Sequence, residues 1–450
     1  MKNRVLIYGM GLSGKGVAKL LSQTGKDLIL YDRNEELDME GIISSLGLEN
    51  VSYIKGILKK EDLKEVETVV LSPGVSAFSE DAQMARAAGA AVSGEVEEAF
   101  KASKGRLAAI TGTNGKTTTT ALTGEIMKAA FGKENVYVVG NIGDSYAAHA
   151  LSTDENSVTV AEISSFQLET THEFHPEVSA LLNLTPDHLD RHKTFENYAR
   201  CKMRIAEMQS AGEVCVINYD DEYLRELSEN ITPKKLYFSM KPLKEGVYFK
   251  DNAIFYAGAG KEELIIKRDE IDLVGDHNVE NVMAACAVAL SMGVSAEIIA
   301  DTVRKFKAVE HRIEFTCERR GVKYYNDSKG TNTDAAAKAV SAMSAPTVLI
   351  AGGYDKGADF TDWINGFNGK IKAMVLIGAT AQKIKAAADK CGFGEVYMAK
   401  DLEEAVTVSA KLAAPGENVL LSPACASWDQ FKNYEVRGRM FKEYARALEE

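Results

Sequence analysis

The sequence predicts an α/β protein of three successive domains, each built on a mostly parallel sheet. Three observations carry this. Short apolar runs of strand length alternate with stretches of helical period along the chain. The runs end repeatedly in loops of glycine and polar residues, as strands of an open parallel sheet do at their carboxyl ends. The 450 residues also exceed what one core usually serves, and no internal repeat or low-complexity stretch stands out. The expected divisions are 1–98, 99–307 and 308–450.

In the first segment, residues 5–8 read as a strand that runs into GMGLSG, with Gly9, Gly11 and Gly14. A helix follows with Val17, Leu20 and Leu21 on one face, then a strand at 28–31 that ends at Asp32. A G-x-G-x-x-G turn with an acid about twenty residues on is the fingerprint of a Rossmann-like dinucleotide unit. Taken alone it suggests NAD and an oxidoreductase, or glycines that serve only tight helix–strand packing. A further strand at 69–71 enters SPGV, another turn at a strand's carboxyl end.

The second segment opens with an apolar run at 107–110, then TGTNGKTT from Thr111 to Thr118, then Leu122, Ile126, Ala129 and Ala130 at helical spacing. A strand that restarts as a helix after a glycine turn points backbone N–H groups and a helix dipole at an anion. Gly112 and Gly115 permit close approach, Lys116 supplies charge, and Thr117 a hydroxyl suited to Mg²⁺. The spacing is not that of the usual Walker A loop, since Ile110 stands where the first glycine would be. Later strands end in GNIG with Asn141, EISSFQL with Glu162, and TPDHLDRH with His188. An open parallel sheet would bring these residues and Lys116 towards one crevice. The segment reads as a P-loop-type mononucleotide-binding domain.

A helix from Phe195 carries Tyr198, Lys202, Ile205 and Met208 on one face. Lys202 among apolar neighbours either snorkels to the surface or is a lysine of lowered pKa. Residues 236–257 read as a small antiparallel annex around an Asp251-Asn252 turn. In GDHNVENVMAA, Asn278 and Asn281 share a helix face, placed for a purine edge or for capping. The third segment, again a Rossmann-like α/β pattern, starts near EHRIE. It places NDSKGTN, AGGYDKGADF and SPACASWDQF after successive strands.

Composition narrows the classes. With 45% hydrophobic and 26% charged residues the chain is an ordinary folded protein. A net charge of −12 without dense Lys/Arg clusters excludes a nucleic-acid or anionic-membrane surface. Six scattered cysteines without a CxxC pair argue against disulfides or zinc and for a reducing cytoplasm. The start shows no signal-peptide pattern, and no apolar run has membrane-spanning length.

TGTNGKTTTT, GNIG, EISSFQL, TPDHLDRH, DHNVENVMAA, EHRIE and NDSKGTN together resemble the Mur ligase family of ATP-dependent amide-forming enzymes, over essentially the whole chain. GMGLSG with SPGV resembles the uridine-diphosphate pocket of its muramyl-alanine and D-glutamate-adding members, and SPACASWDQF with DSKGTN and GGYDKGADF is similar to its D-glutamate-adding branch in particular. The resemblance implies addition of D-glutamate to UDP-N-acetylmuramoyl-L-alanine through an acyl phosphate, in peptidoglycan precursor synthesis, by a cytoplasmic monomer acting on small molecules. It reassigns the first glycine turn from NAD to uridine diphosphate, with Leu12, Ser13, Asp32, Arg33, Ser72, Pro73, Gly74 and Asn141 around the sugar-nucleotide. It implies ATP contacts from Gly112, Thr113, Asn114, Gly115, Lys116, Thr117, Thr118, Asn281, Arg312 and Asp327. Two Mg²⁺ are implied, at Thr117 and Glu162 and at His188, with Lys202 carrying a CO₂-derived carbamate. D-glutamate would meet His188, Thr331, Lys356, Ser427 and Tyr434, with Lys329 either supporting the loop or serving as a structural salt-bridge partner. A sister ligase for another amino acid and a non-catalytic sugar-nucleotide sensor are the alternatives.

Overall fold

The computed structural model describes residues 4–141, 144–355 and 357–449. Among these residues the strands form three sheets. The first is parallel throughout, in the order Ser52–Lys55, Asp27–Asp32, Arg4–Tyr8, Val66–Leu71, Ala91–Gly94. Strand order reverses at Arg4–Tyr8, which opens a ligand crevice at its carboxyl end. The helix Leu12–Ser22 buries Val17, Leu20 and Leu21 as expected. Its close start depends on Gly14, where a Cβ would stand 1.8 Å from the Gly9 carbonyl oxygen.

The second sheet has nine strands, in the order Lys261–Lys267, Ala253–Gly258, Gly246–Lys250, Lys234–Ser239, Val214–Asn218, Val178–Leu181, Arg106–Thr111, Val158–Glu162, Val136–Gly140. All neighbours are parallel except the first two pairs, where Ala253–Gly258 runs antiparallel to both its partners. Asp251 and Asn252, at φ 48° and 57°, make the expected hairpin turn. The annex is thus not separate. Gly246–Lys250 pairs in parallel with Lys234–Ser239 and continues the main sheet.

The third sheet runs Glu314–Arg319, Val322–Asn326, Asn418–Leu421, Thr347–Gly352, Ile371–Ile377, Val396–Met398. It is parallel apart from Glu314–Arg319, which the sequence pattern did not resolve as a strand and which pairs as a hairpin with Val322–Asn326.

By packing, the chain divides into two compact units. One comprises the residues up to Glu270 with Glu280–Lys305, the other Ile271–Val279 with the residues from Phe306 onward. The first two sheets share a unit because their helices share a core, with Val17, Leu20, Tyr146, Ile163 and Tyr198 in one cluster. Glu97, fully buried, accepts the N–H groups of His172, Glu173 and Phe174 at 2.9, 3.0 and 3.2 Å. The helix Phe195–Met203 is shorter than its apolar pattern. It passes into a 3₁₀ turn at Arg204–Ala206, which keeps Ile205 buried and leaves Met208 51% exposed. Among the described residues all six cysteines are free thiols, and no helix is long and apolar enough to cross a membrane.

Candidate functional site

The strand Arg106–Thr111 ends at the glycine loop, and the helix Lys116–Phe131 begins from Gly115, at φ 85°. A Cβ on Gly115 would lie 2.2 Å from Asn281 Oδ1, so this glycine and Asn281 are mutually fitted. The loop is clamped to the segment after Val178–Leu181. Thr113 N–H donates to the Asn183 carbonyl (2.9 Å), Asn114 N–H to Asn183 Oδ1 (2.8 Å), and Thr113 Oγ1 to the Thr185 carbonyl (3.1 Å). The Tyr198 hydroxyl donates to Thr113 Oγ1 at 3.0 Å. Thr117 and Thr118 are buried. Lys116 lies folded over the loop, donating to the carbonyls of Gly112 (2.9 Å) and Thr113 (2.8 Å).

Lys202 does not snorkel. It is 2% exposed, and its Nζ donates to the same Gly112 carbonyl at 2.8 Å and to Thr111 Oγ1 at 3.4 Å. Burial, and then the nearby charge of Lys116, hold its pKa well below the ordinary lysine value. Glu162, buried at the end of Val158–Glu162, accepts from Asn141 Nδ2 at 2.8 Å. Ile110 and Glu162 are register partners, which sets the carboxylate beside the loop strand. His188 sits at φ 53°, left-handed for a non-glycine residue, and caps the one-turn helix Leu189–His192. Its ring packs edge-on against Phe166 with centroids 4.7 Å apart. Lys116, Asn141, Glu162 and His188 thus follow the carboxyl ends of strands in one sheet, and Lys202 reaches the same loop from the helix Phe195–Met203.

At the first sheet's crevice, Ser72 Oγ donates to the Gly9 carbonyl at 2.7 Å and ties the two expected turns together. Leu12 is 80% exposed beside half-buried Ser13. Asp32 turns inward: its carboxylate accepts Met10 N–H and Asn34 N–H, each at 2.9 Å, and so braces the glycine turn. Arg33 is engaged by Asp81, with Nε and Nη2 both 3.0 Å from Oδ2. Asp81 was not legible as a partner.

In the second unit, Asp327 is buried and accepts from Ser422 Oγ at 2.7 Å; burial pushes its carboxyl up to about 7. Ser427 is buried, Thr331 half-buried, and the Tyr434 carbonyl accepts from Ser328 Oγ at 2.8 Å. Lys329 Nζ stands 5.4 Å from the Tyr434 ring centroid. Arg312 lies in the turn before Glu314–Arg319. Lys356 lies outside the described residues. Arg437, fully buried, donates to Ser328 Oγ (3.0 Å), the Ser328 carbonyl (2.8 Å) and the Cys425 carbonyl (3.2 Å). It pins the expected amino-acid loops together, yet no pattern in the sequence separates it from a surface arginine.

Three family models match the chain: a Mur ligase MurD-like N-terminal domain over residues 3–94, a Mur ligase middle domain over 110–289, and a Mur ligase glutamate ligase domain over 311–425. The chain belongs to the Mur ligase family. Among curated relatives, the UDP-N-acetylmuramoylalanine–D-glutamate ligase of Lachnospira eligens is 48% identical over 451 residues, covering 100% of both chains. That of Lachnoclostridium phytofermentans is 47% identical over 449 residues, covering 99% and 98%. Among solved structures, the UDP-N-acetylmuramate–alanine ligase of Thermotoga maritima superposes with a TM-score of 0.61 at 17% identity, covering 99% of each chain. The MurF ligase of the same organism, in complex with ADP, gives 0.59 at 16%, covering 87% and 97%. These two likenesses establish the shared Mur ligase fold.

The donor set can be weighed against the cation that the family implies. Thr117 and Glu162 are buried oxygen donors at adjoining strand and helix ends, which suits a hard cation such as Mg²⁺. Lys202 as an ammonium would repel one; as a carbamate it would add oxygens. A cavity of about 900 Å³ lies on the same unit. Glu169, Arg191, His192, Arg200, Cys201 and Ile231 are among its lining residues, and Lys116, Glu162, His188 and Lys202 are not, so it is not the loop's site.

Proposed function

We propose that the chain is an ATP-dependent ligase that joins D-glutamate to UDP-N-acetylmuramoyl-L-alanine in the making of peptidoglycan precursors, working in the cytoplasm as a monomer. One observation carries it: a phosphate loop packed on buried Lys202, in a chain that aligns end to end with D-glutamate ligases. The alanyl carboxylate attacks the γ-phosphorus of ATP, the bond to ADP breaks, and an acyl phosphate forms. The amine of D-glutamate attacks the acyl carbon, phosphate leaves, and the nitrogen gives up a proton. No covalent step falls to the protein, so placement and charge neutralisation dominate.

Residues 112–118 cradle the phosphates, Lys116 swings from its loop carbonyls to them, and Asn281 meets the adenine. Thr117 and Glu162 would hold one Mg²⁺, and His188 with carbamylated Lys202 a second; bound Mg²⁺ neutralises phosphate charge. The neutral Lys202 amine is the form that adds CO₂, forming an N–C bond and releasing a proton. Leu12, Ser13, Arg33, Ser72, Pro73, Gly74 and Asn141 are assigned to the sugar-nucleotide, with Asp32 bracing their turn. In the second unit the reading assigns Arg312 and Asp327 to ATP, and Thr331, Ser427 and Tyr434 to D-glutamate.

The test is mass spectrometry of the sugar-nucleotide after incubation with ATP and D-glutamate, L-alanine or L-lysine in competition. A product carrying one glutamate is expected. A product carrying alanine or lysine instead refutes the specificity, and no ATP consumption with any substrate set refutes the ligase.

A further inference from the structure

Arg191, three residues after His188, commits four guanidinium N–H groups to three partners. Nε and Nη2 donate to Glu169 Oε1 and Oε2 at 2.8 and 2.6 Å. Nη1 donates to the Pro73 carbonyl at 2.7 Å and Nη2 to the Val75 carbonyl at 3.1 Å. Glu169 Oε2 also accepts Ala77 N–H at 3.2 Å. Both side chains are largely out of solvent, 12% and 2% exposed. The Arg191 Cζ lies 4.0 Å from the Phe166 ring centroid, and His188 packs on the same ring. Three loops from two sheets meet here: SPGV of the first, EISSFQL and TPDHLDRH of the second. A paired, planar arginine with four aimed donors fixes position in a way a point charge cannot.

We propose that Arg191 and Glu169 are positioning residues that set the register between the sugar-nucleotide loop at Ser72–Val75 and the His188 loop. The inference rests on the proposed ligase reading and extends it. Neither residue touches substrate in that reading. Their work is to hold the sugar-nucleotide's carboxylate in line with the phosphate loop, where a displacement of about 1 Å costs on the order of 100-fold in rate.

The experiment uses the full-length protein as Arg191→Met, Arg191→Lys, Glu169→Gln and the Arg191→Met/Glu169→Gln double variant. For each variant kcat should fall about 100-fold. KM for the sugar-nucleotide should rise, while KM for ATP and the Kd of UDP alone stay within about twofold of wild type. The lysine variant should fare no better than methionine. Arg191→Met strands a buried carboxylate, so the double variant should recover Tm without recovering kcat. Recovery of both, or UDP weakened as much as the full substrate, would show a purely structural clamp and overturn the proposal. A second readout needs no turnover: hydrogen exchange at the Ala77 amide should accelerate at least tenfold in Glu169→Gln, and wild-type protection there also overturns it. Failure of the wild type to ligate D-glutamate would refute the proposed function alone, since the exchange result stands apart from it.

Discussion

Replacing Gly115 with alanine tests the phosphate loop directly. The residue sits at φ 85°, where an L side chain costs about 1–2 kcal/mol. Its Cβ would stand 2.2 Å from Asn281 Oδ1 and 3.4 Å from Leu182 Cδ1, so buried Asn281 must swing away. That forfeits its bond with Thr119 Oγ1, now 3.4 Å, for about another 1 kcal/mol. The sum is about 2–3 kcal/mol of stability. The larger effect falls on ATP, since the change both tilts the anion-binding N–H groups and moves the proposed adenine contact. Isothermal titration with ATP analogues should show Kd raised at least tenfold, with UDP binding unchanged. Gly14→Ala is the mirror experiment, because its Cβ would meet the Gly9 carbonyl oxygen at 1.8 Å in the other crevice. It should weaken UDP and spare ATP. If Gly115→Ala lowered Tm but left ATP affinity within twofold, the loop would not be the nucleotide's seat.

Tyr198→Phe removes only the hydroxyl that braces Thr113, so KM for ATP should rise severalfold for a loss of about 1 kcal/mol; an unchanged KM would deny the brace. Asp327 has its pKa raised from 3.8 to about 7, so the folded state holds a proton that the unfolded state releases between those values. Stability is fully present below about pH 3.8 and is lost as pH rises through about 7, by at most about 4 kcal/mol. Asp327→Asn should flatten that decline in denaturant titrations from pH 4 to 8, whereas an unchanged slope would refute the assignment.

Most of the fold was legible because parallel strands advertise themselves: 5–8, 107–110 and 347–350 are apolar runs closed by glycine turns, and the structure makes each a central strand. Glu314–Arg319 was not legible, being a polar edge strand with Phe315 exposed. The placing of strand-end residues such as Glu162 was legible because topology alone carries them to the sheet's carboxyl end. Asp81, Glu169 and Arg437 act through partners far off in sequence, Arg33, Arg191 and Ser328, and one sequence encodes no such pairing. Lys202 lay between these cases. Its apolar helix face was visible, but only its distance to Gly112 chose between snorkelling and burial.

That distance bears on the carbamate. Lys116 and Lys202 both donate to one acceptor, the Gly112 carbonyl oxygen, at 2.9 and 2.8 Å. Two ammonium groups sharing one oxygen repel each other, and the buried one has no solvent to screen it. The arrangement is stable when Lys202 is a neutral amine, and its depressed pKa follows from that same burial and charge. A neutral amine is nucleophilic towards CO₂, whereas an ammonium is not. Once carbamylated, the side chain becomes an anion beside Lys116, so repulsion turns into attraction. ¹³C NMR of protein equilibrated with ¹³C-bicarbonate should therefore show one carbamate resonance that Lys202→Met lacks. Lys202→Ala should lose activity and regain part of it with a short carboxylate such as acetate or formate. A wild-type spectrum without that resonance, under substrate saturation, would leave Lys202 a structural amine and remove the second metal site with it.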